Sequence, residues 1–389
     1  MALAVTLFFL LLTLSGLAYL LLALLGVRQF RKDWARPHPP QPLTPGVSIL
    51  KPVKGAEPGM YPGFVSHCRQ QYGSPFELLF GVSSQDDPAV PFVQRLQAEF
   101  PHLTIRLIVC PQQLGTSGKV SNLVQLLQQA QYQHILINDS DIAVGPHYLT
   151  RILAPFADPR VGMVTAPYLG RALADASGHI PVWTRLEALG ISTDFQAGVL
   201  TARRLEGGIR FGLGSTLAVT RASLAAIGGL QALLESLADD YEMGARIAAA
   251  GYRVELANEV VETTVPAYTL RGFWEHQLRW ARSTRDSRRW GYVGLGITYA
   301  LPWAAMTVIA SGFAMWSFSL LSVVLLARVA VALNTGVGIL RDGQVLRDLW
   351  LLPLRDCAAL AVWAWSFAGD TVVWRGERFR LKNGRMVRL

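Results

Sequence analysis

Cysteine and charge are both scarce in this 389-residue sequence. Its three cysteines, Cys68, Cys110 and Cys357, lack the spacing of a metal site or a disulfide framework, and they fit a reduced, cytosol-facing catalytic part. Charged residues form only 16% of the chain, whereas 51% of its residues are hydrophobic. Because this balance is unusual for a chain that is soluble throughout, we expect part of it to lie in a lipid bilayer.

Residues 1–27 contain no charged side chain at all. About 20 apolar residues are enough to cross a bilayer, so this segment can form a transmembrane anchor. A cleaved signal peptide is the competing interpretation, but no basic residue precedes the apolar core, the core is too long, and the basic residues follow it. We therefore predict a retained anchor whose C-terminal end faces the cytosol.

The excess of basic residues gives a formal net charge of +9. Nucleic acid is one partner that such a charge can indicate, but the basic residues are concentrated beside the apolar segments. Juxtamembrane clusters are what the positive-inside rule and anionic lipid head groups predict, so we expect the bilayer as a partner and no nucleic acid. The clusters are Arg28, Arg31, Lys32 and Arg36, the arginines between 279 and 289, and those between 375 and 388.

A basic and proline-rich linker, 28–45, separates the anchor from a domain at 46–290 in which apolar runs alternate with helical patterns. The alternation predicts an α/β fold with a mostly parallel sheet and helices on both faces. In such a fold, binding groups lie at the carboxyl ends of the strands. The predicted strands are 47–50, 76–82, 103–109, 134–137 and 161–166, and the predicted helices are 91–100, 120–130 and 148–156.

Asp139 and Asp141 follow the predicted strand 134–137. In an extended segment, residues i and i+2 point to the same side, so both carboxylates can face one site. Such a pair can hold a hard divalent cation, which often binds substrate phosphates as well. A polar turn that closes a strand would contain the same residues, and the pair alone does not decide between the two interpretations.

Two glycine-containing stretches are further candidates for ligand binding. Gly118 and Lys119 precede a helical pattern, but the spacing of the glycines and Val120 exclude a Walker phosphate loop. The backbone N–H groups and the ammonium group could bind a diphosphate, or the glycine could simply begin a helix. Gly212 and Gly214 could allow a flat ligand to approach the backbone, or they could form a tight turn.

Two helical patterns near the end of this domain carry candidate chemistry. Asp239 can cap the first helix, which leaves Asp240 as a carboxylate able to take a proton from an attacking hydroxyl. His276, Arg279 and Trp280 lie on the second helix, with aromatic residues on one side and arginine on the other. Both a ligand-binding face and an amphipathic helix at the membrane interface have this pattern.

Taken together, these motifs resemble the spaced aspartates and the Q/R-x-x-R-W signature of inverting family 2-type glycosyltransferases. They are more narrowly similar to family 21, the ceramide glucosyltransferase group, including its bacterial hopanoid-glycosylating branch. The likeness extends over nearly the whole chain, and the order and spacing of the motifs are more specific than any one of them. The stretches that carry it are 46–55, 86–89, 119–123, 139–141, 239–241, 276–280 and 374–380.

The resemblance implies a GT-A fold and a UDP-sugar-dependent hexosyltransferase, which forms a β-glycoside of glucose or N-acetylglucosamine on a ceramide- or hopanoid-like membrane lipid. Asp139 and Asp141 would hold Mg²⁺ or Mn²⁺, and Asp240 would be the catalytic base. The sequence departs from the family at Ser84, where an aspartate is usual, and at His276, where glutamine or arginine is usual. The implied nucleotide-sugar ligands are Asp86, Asp87, Lys119, Asp139, His276, Arg279 and Trp280, and the implied acceptor side comprises Gly212, Gly214, Asp239 and Trp280.

The C-terminal third, 291–371, is predicted to lie in the membrane. Residues 292–313 and 315–340 reach spanning length, although Arg328 should face protein or water. Three full spans after a cytosolic domain would place the basic tail, 372–389, outside, so we expect residues 350–371 to be re-entrant or interfacial. The predicted protein is a multi-pass membrane protein with a cytosolic catalytic domain and tail, in a bacterial inner membrane.

Two other functions share parts of this pattern. A membrane protein that binds a nucleotide sugar without turning it over would have the same fold, but the three aspartates Asp139, Asp141 and Asp240 favour catalysis. Among enzymes, a processive polysaccharide synthase is the alternative. Such a synthase ordinarily needs more membrane spans than this chain offers.

Overall fold

A computed structural model describes residues 2–35, 43–374, 377–382 and 384–388. Residues 36–42 of the predicted linker, 28–45, lie outside these residues. The helices are α1 Ala2–Trp34, α2 Met60–Cys68, α3 Val90–Glu99, α4 Gly118–Gln129, α5 Tyr148–Leu153, α6 Val182–Gly190, α7 Gln196–Leu205, α8 Arg221–Ala226, α9 Asp239–Ala249, α10 Leu270–Ser287, α11 Arg289–Gly294, α12 Ala300–Ala310, α13 Met315–Ala332, α14 Gln344–Asp348 and α15 Leu352–Ser366. The strands are β1 Val47–Pro52, β2 Phe76–Val82, β3 Thr104–Val109, β4 His134–Ile137, β5 Val161–Thr165, β6 Tyr168–Ala172, β7 Leu217–Thr220, β8 Arg253–Leu256, β9 Val261–Val265, β10 Thr371–Trp374, β11 Glu377–Lys382 and β12 Arg385–Arg388.

A mixed sheet with the order β3-β2-β1-β4-β7-β5-β8 forms the centre of the α/β domain. Strand β7 runs antiparallel to β4 and β5, and the other neighbouring pairs are parallel. The five predicted strands are all present; the apolar runs of β1, β2, β4 and β5 are buried, whereas β3 lies at the edge of the sheet and is partly exposed. The predicted α/β fold with a mostly parallel sheet is confirmed, and so are the three predicted helices, which correspond to α3, α4 and α5.

Residues 182–205 form a bent helical segment that the sequence did not predict. Helix α6 continues through a π-helical turn, Ile191–Phe195, into α7. The segment lies between the α/β domain and the apolar helices, because α6 packs on β6 and α7 packs on α1. At the second contact, the Gly26 backbone approaches the Leu200 carbonyl. Turns of this kind are frequent at functional sites.

Two helices in the described part of the chain are long and apolar enough to cross a membrane, Ala2–Trp34 and Met315–Val337. Helix α1 extends beyond the predicted anchor end at Val27, because the basic residues that follow remain helical up to Trp34. The predicted span 292–313 is instead a pair of helices, Arg289–Thr298 and Ala300–Ala310, which are bent by 51° and could together form one broken span.

Helix α15 occupies most of the segment predicted to be re-entrant or interfacial. It has 15 residues, so it is only about 22 Å long, which is short of the roughly 30 Å hydrocarbon core. Its Asp356 accepts from Arg328 Nε on α13 at 2.9 Å, and Arg328 Nη1 donates to the Thr193 carbonyl at 3.1 Å. Arg328 thus faces protein, as expected for a buried charge among apolar helices.

The predicted basic tail is folded. Strands β10, β11 and β12 form an antiparallel sheet whose inner side chains, Val372, Phe379, Leu381 and Met386, pack with Leu237. Its last strand joins the segment before α9, since Met386 N donates to the Glu235 carbonyl at 2.8 Å. Alternating buried and exposed residues in β11 give the sheet one apolar face and one basic face.

Candidate active site

Asp139 and Asp240 face one space, although they are far apart in the chain. Asp139 follows β4 at the carboxyl edge of the sheet, and Asp240 lies in the first turn of α9. A Cβ atom at Gly214 would lie 3.0 Å from Asp240 Oδ2 and 3.5 Å from Asp139 Oδ2. The missing side chain of Gly214 therefore leaves a cradle between two carboxylates, and a ligand in it would contact both.

Lys119 connects the acids around this cradle. Its Nζ lies 2.8 Å from Asp139 Oδ1 and 3.3 Å from Asp239 Oδ2. Burial lowers the pKa of Lys119, but Asp139 and Asp239 more than offset this effect, so the pKa is raised and the side chain remains a cation. Gly118 and Lys119 do begin helix α4, which the Ser117 side chain caps by accepting from Val120 N at 3.3 Å.

Asp239 does not have the capping role that the sequence allowed. Among the described residues, the residue before α9 is Ala238, and no side chain caps this helix. Asp239 lies in the first turn, where its carboxylate is directed at Lys119 and is 6% exposed. The reason is tertiary: the buried ammonium group of Lys119 is a stronger partner than backbone N–H groups at a helix end.

Asp240 has the electrostatic environment of a general base. Burial, followed by the neighbouring Asp239 carboxylate, raises the pKa of Asp240 to about 6, with Lys119 acting in the opposite direction. The Tyr241 N–H donates to Asp240 Oδ1 at 2.8 Å, and Oδ2 is the atom that faces the Gly214 cradle. A base whose pKa lies near the working pH is ionised and still accepts a proton readily.

Asp141 lies deeper than Asp139 and is held by β9. Its Oδ2 accepts from Thr263 Oγ1 at 2.6 Å and from Thr264 N at 3.2 Å. Burial and then the Asp139 carboxylate raise the pKa of Asp141. The two aspartates therefore repel each other, and a cation between or beside them would relieve this repulsion.

The sequence-based argument missed Lys51, which is fully buried at the end of β1. Its Nζ donates to the Asp139 carbonyl at 3.2 Å, and burial lowers its pKa to about 7 against the attraction of Asp141 and Asp139. The signal in the sequence was a lysine inside an otherwise apolar strand, since such a residue is rarely buried without a carboxylate partner.

The acids fit a divalent cation that is shared with a substrate. Within the described residues, no group of three or more His, Cys, Asp or Glu side chains is arranged to hold a metal ion. Mg²⁺ and similar ions, however, usually bind one or two carboxylates and complete their coordination with water and substrate phosphates. Asp139 and Asp141 supply such carboxylates, and Asp139 borders the space above Gly214.

Asp86 and Asp87 lie at the carboxyl edge after β2. Asp87 Oδ1 accepts from Gly55 N and from Ala89 N, both at 2.9 Å, so it connects the loop after β1 to the start of α3. Asp86 is exposed. The role of either residue in nucleotide binding remains a prediction.

Gly212 lies behind Asp240 and is required by packing. A Cβ there would lie 2.4 Å from Met163 Cε and 2.8 Å from the Asp240 carbonyl, while Gly212 N donates to that carbonyl at 3.2 Å. Gly214 opens the cradle and Gly212 supports it. Close approach of a ligand to either glycine remains a prediction.

His276, Arg279 and Trp280 lie on α10, beside a carboxylate that the sequence-based argument did not identify. Glu187 on α6 is 2% exposed, accepts from Gln277 Nε2 at 2.6 Å, and has Oε1 3.3 Å from His276 Nδ1. The His276 ring lies 5.1 Å from the Trp280 ring, centroid to centroid. A single acid within the helical pattern of α6 gave no signal that it was buried.

Two buried phenols connect this helix with the acids. Burial, then Asp240 and Glu187, raise the pKa of Tyr168, and burial, then Glu187, raise that of Tyr268, against the opposing charge of Arg279. The Phe195 ring lies between Tyr168 and α10, at 5.5 Å from the Tyr168 ring and 6.2 Å from the Trp280 ring. The structure brings the α10 residues and the acidic cluster into one region.

Comparison with known proteins gives a consistent result. The family model "Glycosyl transferase family 21" matches residues 8–387. Ceramide glucosyltransferase 1 of Caenorhabditis elegans is 26% identical over 245 residues, which are 62% of this chain and 50% of that protein. Ceramide glucosyltransferase of Komagataella phaffii is 32% identical over 129 residues, which are 32% of this chain and 25% of that protein. The chain thus spans half or less of the length of these relatives.

A solved structure with a similar fold is the mannosyltransferase from Pyrobaculum calidifontis in complex with GDP-Man and Mn²⁺. The TM-score is 0.51 at 17% sequence identity, and the match covers 94% of this chain and 99% of that chain. The likeness confirms the predicted GT-A fold.

Proposed function

The chain belongs to glycosyl transferase family 21, and we propose that it transfers one hexose from a UDP-sugar to a hydroxyl group of a membrane lipid, with inversion at the anomeric carbon. The sugar is glucose or N-acetylglucosamine, and the acceptor is a ceramide- or hopanoid-like lipid. The observation that carries the proposal is the convergence of Asp139 and Asp240 on the space above Gly214.

Asp240 is the base in this proposal. Its Oδ2 takes the proton of the lipid hydroxyl, whose oxygen forms a bond to the anomeric carbon. The bond from that carbon to the phosphate oxygen breaks, and its electron pair leaves with UDP. Because the attack comes from the face opposite the leaving group, one displacement converts an α-linked donor into a β-glycoside.

The leaving group becomes more negative as it departs. Lys119 is a permanent cation beside Asp139 and can stabilise the diphosphate, as can the N–H groups at the start of α4. Mg²⁺ or Mn²⁺, bound by Asp139 and Asp141, would supply further neutralising charge when present. Asp86 or Asp87, at the neighbouring loop, is the proposed contact for the nucleotide.

The position of the apolar helices supports a membrane lipid as the acceptor. Helix α7 packs on α1, which is one of the two candidate spans, and α7 follows directly from Phe195 in the π-helical turn. The Phe195 ring lies 5.5 Å from Tyr168 and 6.2 Å from Trp280. These aromatic rings offer a lipid an apolar approach to the acids. We propose a multi-pass protein of the bacterial inner membrane with its catalytic domain on the cytosolic face.

The test is to incubate membranes that contain the protein with labelled UDP-glucose or UDP-N-acetylglucosamine, and to identify the labelled lipid by mass. We expect a lipid with one added hexose, equimolar UDP, and a product that a β-glycosidase cleaves and an α-glycosidase does not. A labelled polymer would indicate a processive synthase instead. Donor binding without a labelled product would indicate a non-catalytic nucleotide-sugar-binding protein.

A further inference from the structure

Glu187 is a buried carboxylate to which the proposed chemistry gives no role. It lies on α6, outside the sheet that carries the aspartates, and is 2% exposed. Gln277 Nε2 donates to its Oε2 at 2.6 Å, and its Oε1 lies 3.3 Å from His276 Nδ1. Both partners belong to α10. A charge at this depth is retained only where it is paired, so Glu187 holds one face of α10 at a fixed position.

Glu187 Oε1 and His276 Nδ1 are both buried without a hydrogen-bond partner among the described residues, and only 3.3 Å separates them. An acceptor beside Nδ1 stabilises Nδ1–H, and a neutral imidazole then has its lone pair on Nε2. Nδ1 is buried, whereas the side chain as a whole is 21% exposed, so the exposure lies at atoms other than Nδ1. In this tautomer Nε2 is the ring nitrogen that can accept a hydrogen bond from a hydroxyl group.

The surroundings of His276 favour a lipid alcohol over a diphosphate. Its ring lies 5.4 Å from the Tyr268 ring and 5.1 Å from the Trp280 ring. Trp280 is next to Phe195, which is 36% exposed and begins the connection through α7 to α1.

We propose that Glu187 is a positioning residue for the acceptor: through its contacts with Gln277 and His276, it presents His276 Nε2 as a hydrogen-bond acceptor for a second hydroxyl group of the lipid, distinct from the attacking hydroxyl whose proton Asp240 takes. The inference rests on the proposed function. It also accounts for the histidine at a position where the family has glutamine or arginine, because the buried carboxylate fixes the ring in one orientation and one tautomer.

The substitution Glu187→Gln tests this role with almost no change in shape. The amide would present one oxygen and one NH₂ group to Gln277 Nε2 and His276 Nδ1. Its NH₂ group would then face a donor, unless His276 Nδ1 lost its hydrogen and became an acceptor. The proton would then lie on Nε2, and the ring would present a donor where the lipid hydroxyl needs an acceptor. Removal of a residue that orients a functional histidine commonly lowers activity 10- to 100-fold.

The experiment is steady-state kinetics in detergent, with the acceptor and the donor varied separately. We expect E187Q to lower kcat/KM for the lipid acceptor by about 10- to 100-fold, while the KM of the UDP-sugar changes less than about twofold. The matched control is E77Q. Glu77 is 1% exposed and accepts from Ser48 Oγ and Gln131 N, but it lies at the amino edge of the sheet. Its substitution should lower thermal stability without changing either KM.

A second variant distinguishes positioning from packing. If Glu187 acts through His276, E187Q should have little further effect on acceptor kinetics in an H276Q background. The proposal would be overturned if the losses of E187Q and H276Q were additive. It would also be overturned if E187Q lowered kcat/KM equally for donor and acceptor, or left the acceptor kinetics like those of the wild type. If E187Q does not fold, folded H276A must still show the acceptor-specific loss, and an unchanged acceptor KM would overturn the proposal too. If the proposed function itself is wrong, the wild type will form no glycolipid, which distinguishes that result from a failure of the role of Glu187.

Discussion

Asp240 is the residue on which turnover should depend most directly. Asp240→Asn keeps the shape of the side chain and the hydrogen bond from Tyr241 N, but it removes the proton acceptor. We expect transfer to fall by about 10²- to 10⁴-fold with UDP affinity retained, as measured by labelled-lipid formation and by calorimetric titration of UDP. Asp175→Asn, in an exposed turn, is the control. Near-normal turnover of D240N would remove Asp240 from the role of base.

The same carboxyl group should lower stability at neutral pH. Its pKa rises from an ordinary value of 3.8 to about 6 on folding, so the folded state binds a proton more tightly than the unfolded state. Above pH 6 the buried charge is present and lowers the free energy of unfolding by about 2–3 kcal/mol. This loss of stability disappears as the pH falls from 6 toward 4. In EDTA and without nucleotide, D240N should therefore unfold at a higher temperature than the wild type at pH 8, with a smaller difference at pH 5. A difference that does not depend on pH would contradict this assignment.

Gly214 should be essential for turnover and nearly neutral for folding. A methyl group there would occupy the cradle, 3.0 Å from Asp240 Oδ2, and the neighbouring carboxylate would have to shift by a few tenths of an ångström. We expect Gly214→Ala to lower kcat at least about tenfold, with an unfolding temperature close to that of the wild type. Gly343→Ala is matched to it, because a Cβ at Gly343 meets open space. Full activity of G214A would show that ligands do not enter this cradle.

Among the elements, the C-terminal sheet differs most from its sequence-based description. The basic residues of 372–389 predicted a tail, but they alternate with Val372, Phe379, Leu381 and Met386, which pack together with Leu237. Leu237 lies just before Asp239 and Asp240 in the chain. The sheet thus supports the segment that leads into the candidate base, a role that charge alone gave no reason to expect.

Met386→Ala tests whether this support matters. Met386 is 2% exposed, and its truncation should destabilise the sheet by about 2–4 kcal/mol, so that the segment before α9 loosens. We expect a lower unfolding temperature together with a lower kcat. The adjacent Val387 is 49% exposed, so Val387→Ala should change neither. If M386A lost stability with kcat intact, the sheet would be a separate unit with no influence on the site.

At the scale of the whole molecule, the contacts restrict the topology. Because Met386 N donates to the Glu235 carbonyl, the C-terminal sheet and the catalytic domain must lie on the same side of the membrane. The chain between them therefore crosses the bilayer an even number of times. The helix Met315–Val337 and the bent pair of Arg289–Thr298 and Ala300–Ala310 can provide two crossings, which leaves the short α15 as the segment that does not cross.

A reporter fused after residue 389 checks this topology. We expect it to be cytosolic, like a reporter inserted in the exposed turn at Asp175 of the catalytic domain. Protease protection in sealed vesicles gives an independent measurement. An external C-terminus would be incompatible with the packing of β12 against residues 235–237.

Local periodicity and composition were sufficient for much of this protein. The apolar runs predicted β1 to β5, because a strand buried on both faces needs apolar side chains at every position. The uncharged residues before Arg28 predicted a membrane helix for the same local reason. The period of an extended chain indicated the pair Asp139 and Asp141, the start of a helical pattern indicated Asp240, and the family resemblance implied their roles.

Only the tertiary structure decided which of these groups meet. The cradle at Gly214, the ammonium of Lys119 between Asp139 and Asp239, and the pairing of Glu187 with α10 all join residues distant in the chain. Such contacts have no period, since each depends on how whole elements pack. A buried charge, moreover, looks like a surface charge in the sequence until its partner is known. The sequence therefore determined the elements and their acids, and packing determined the site.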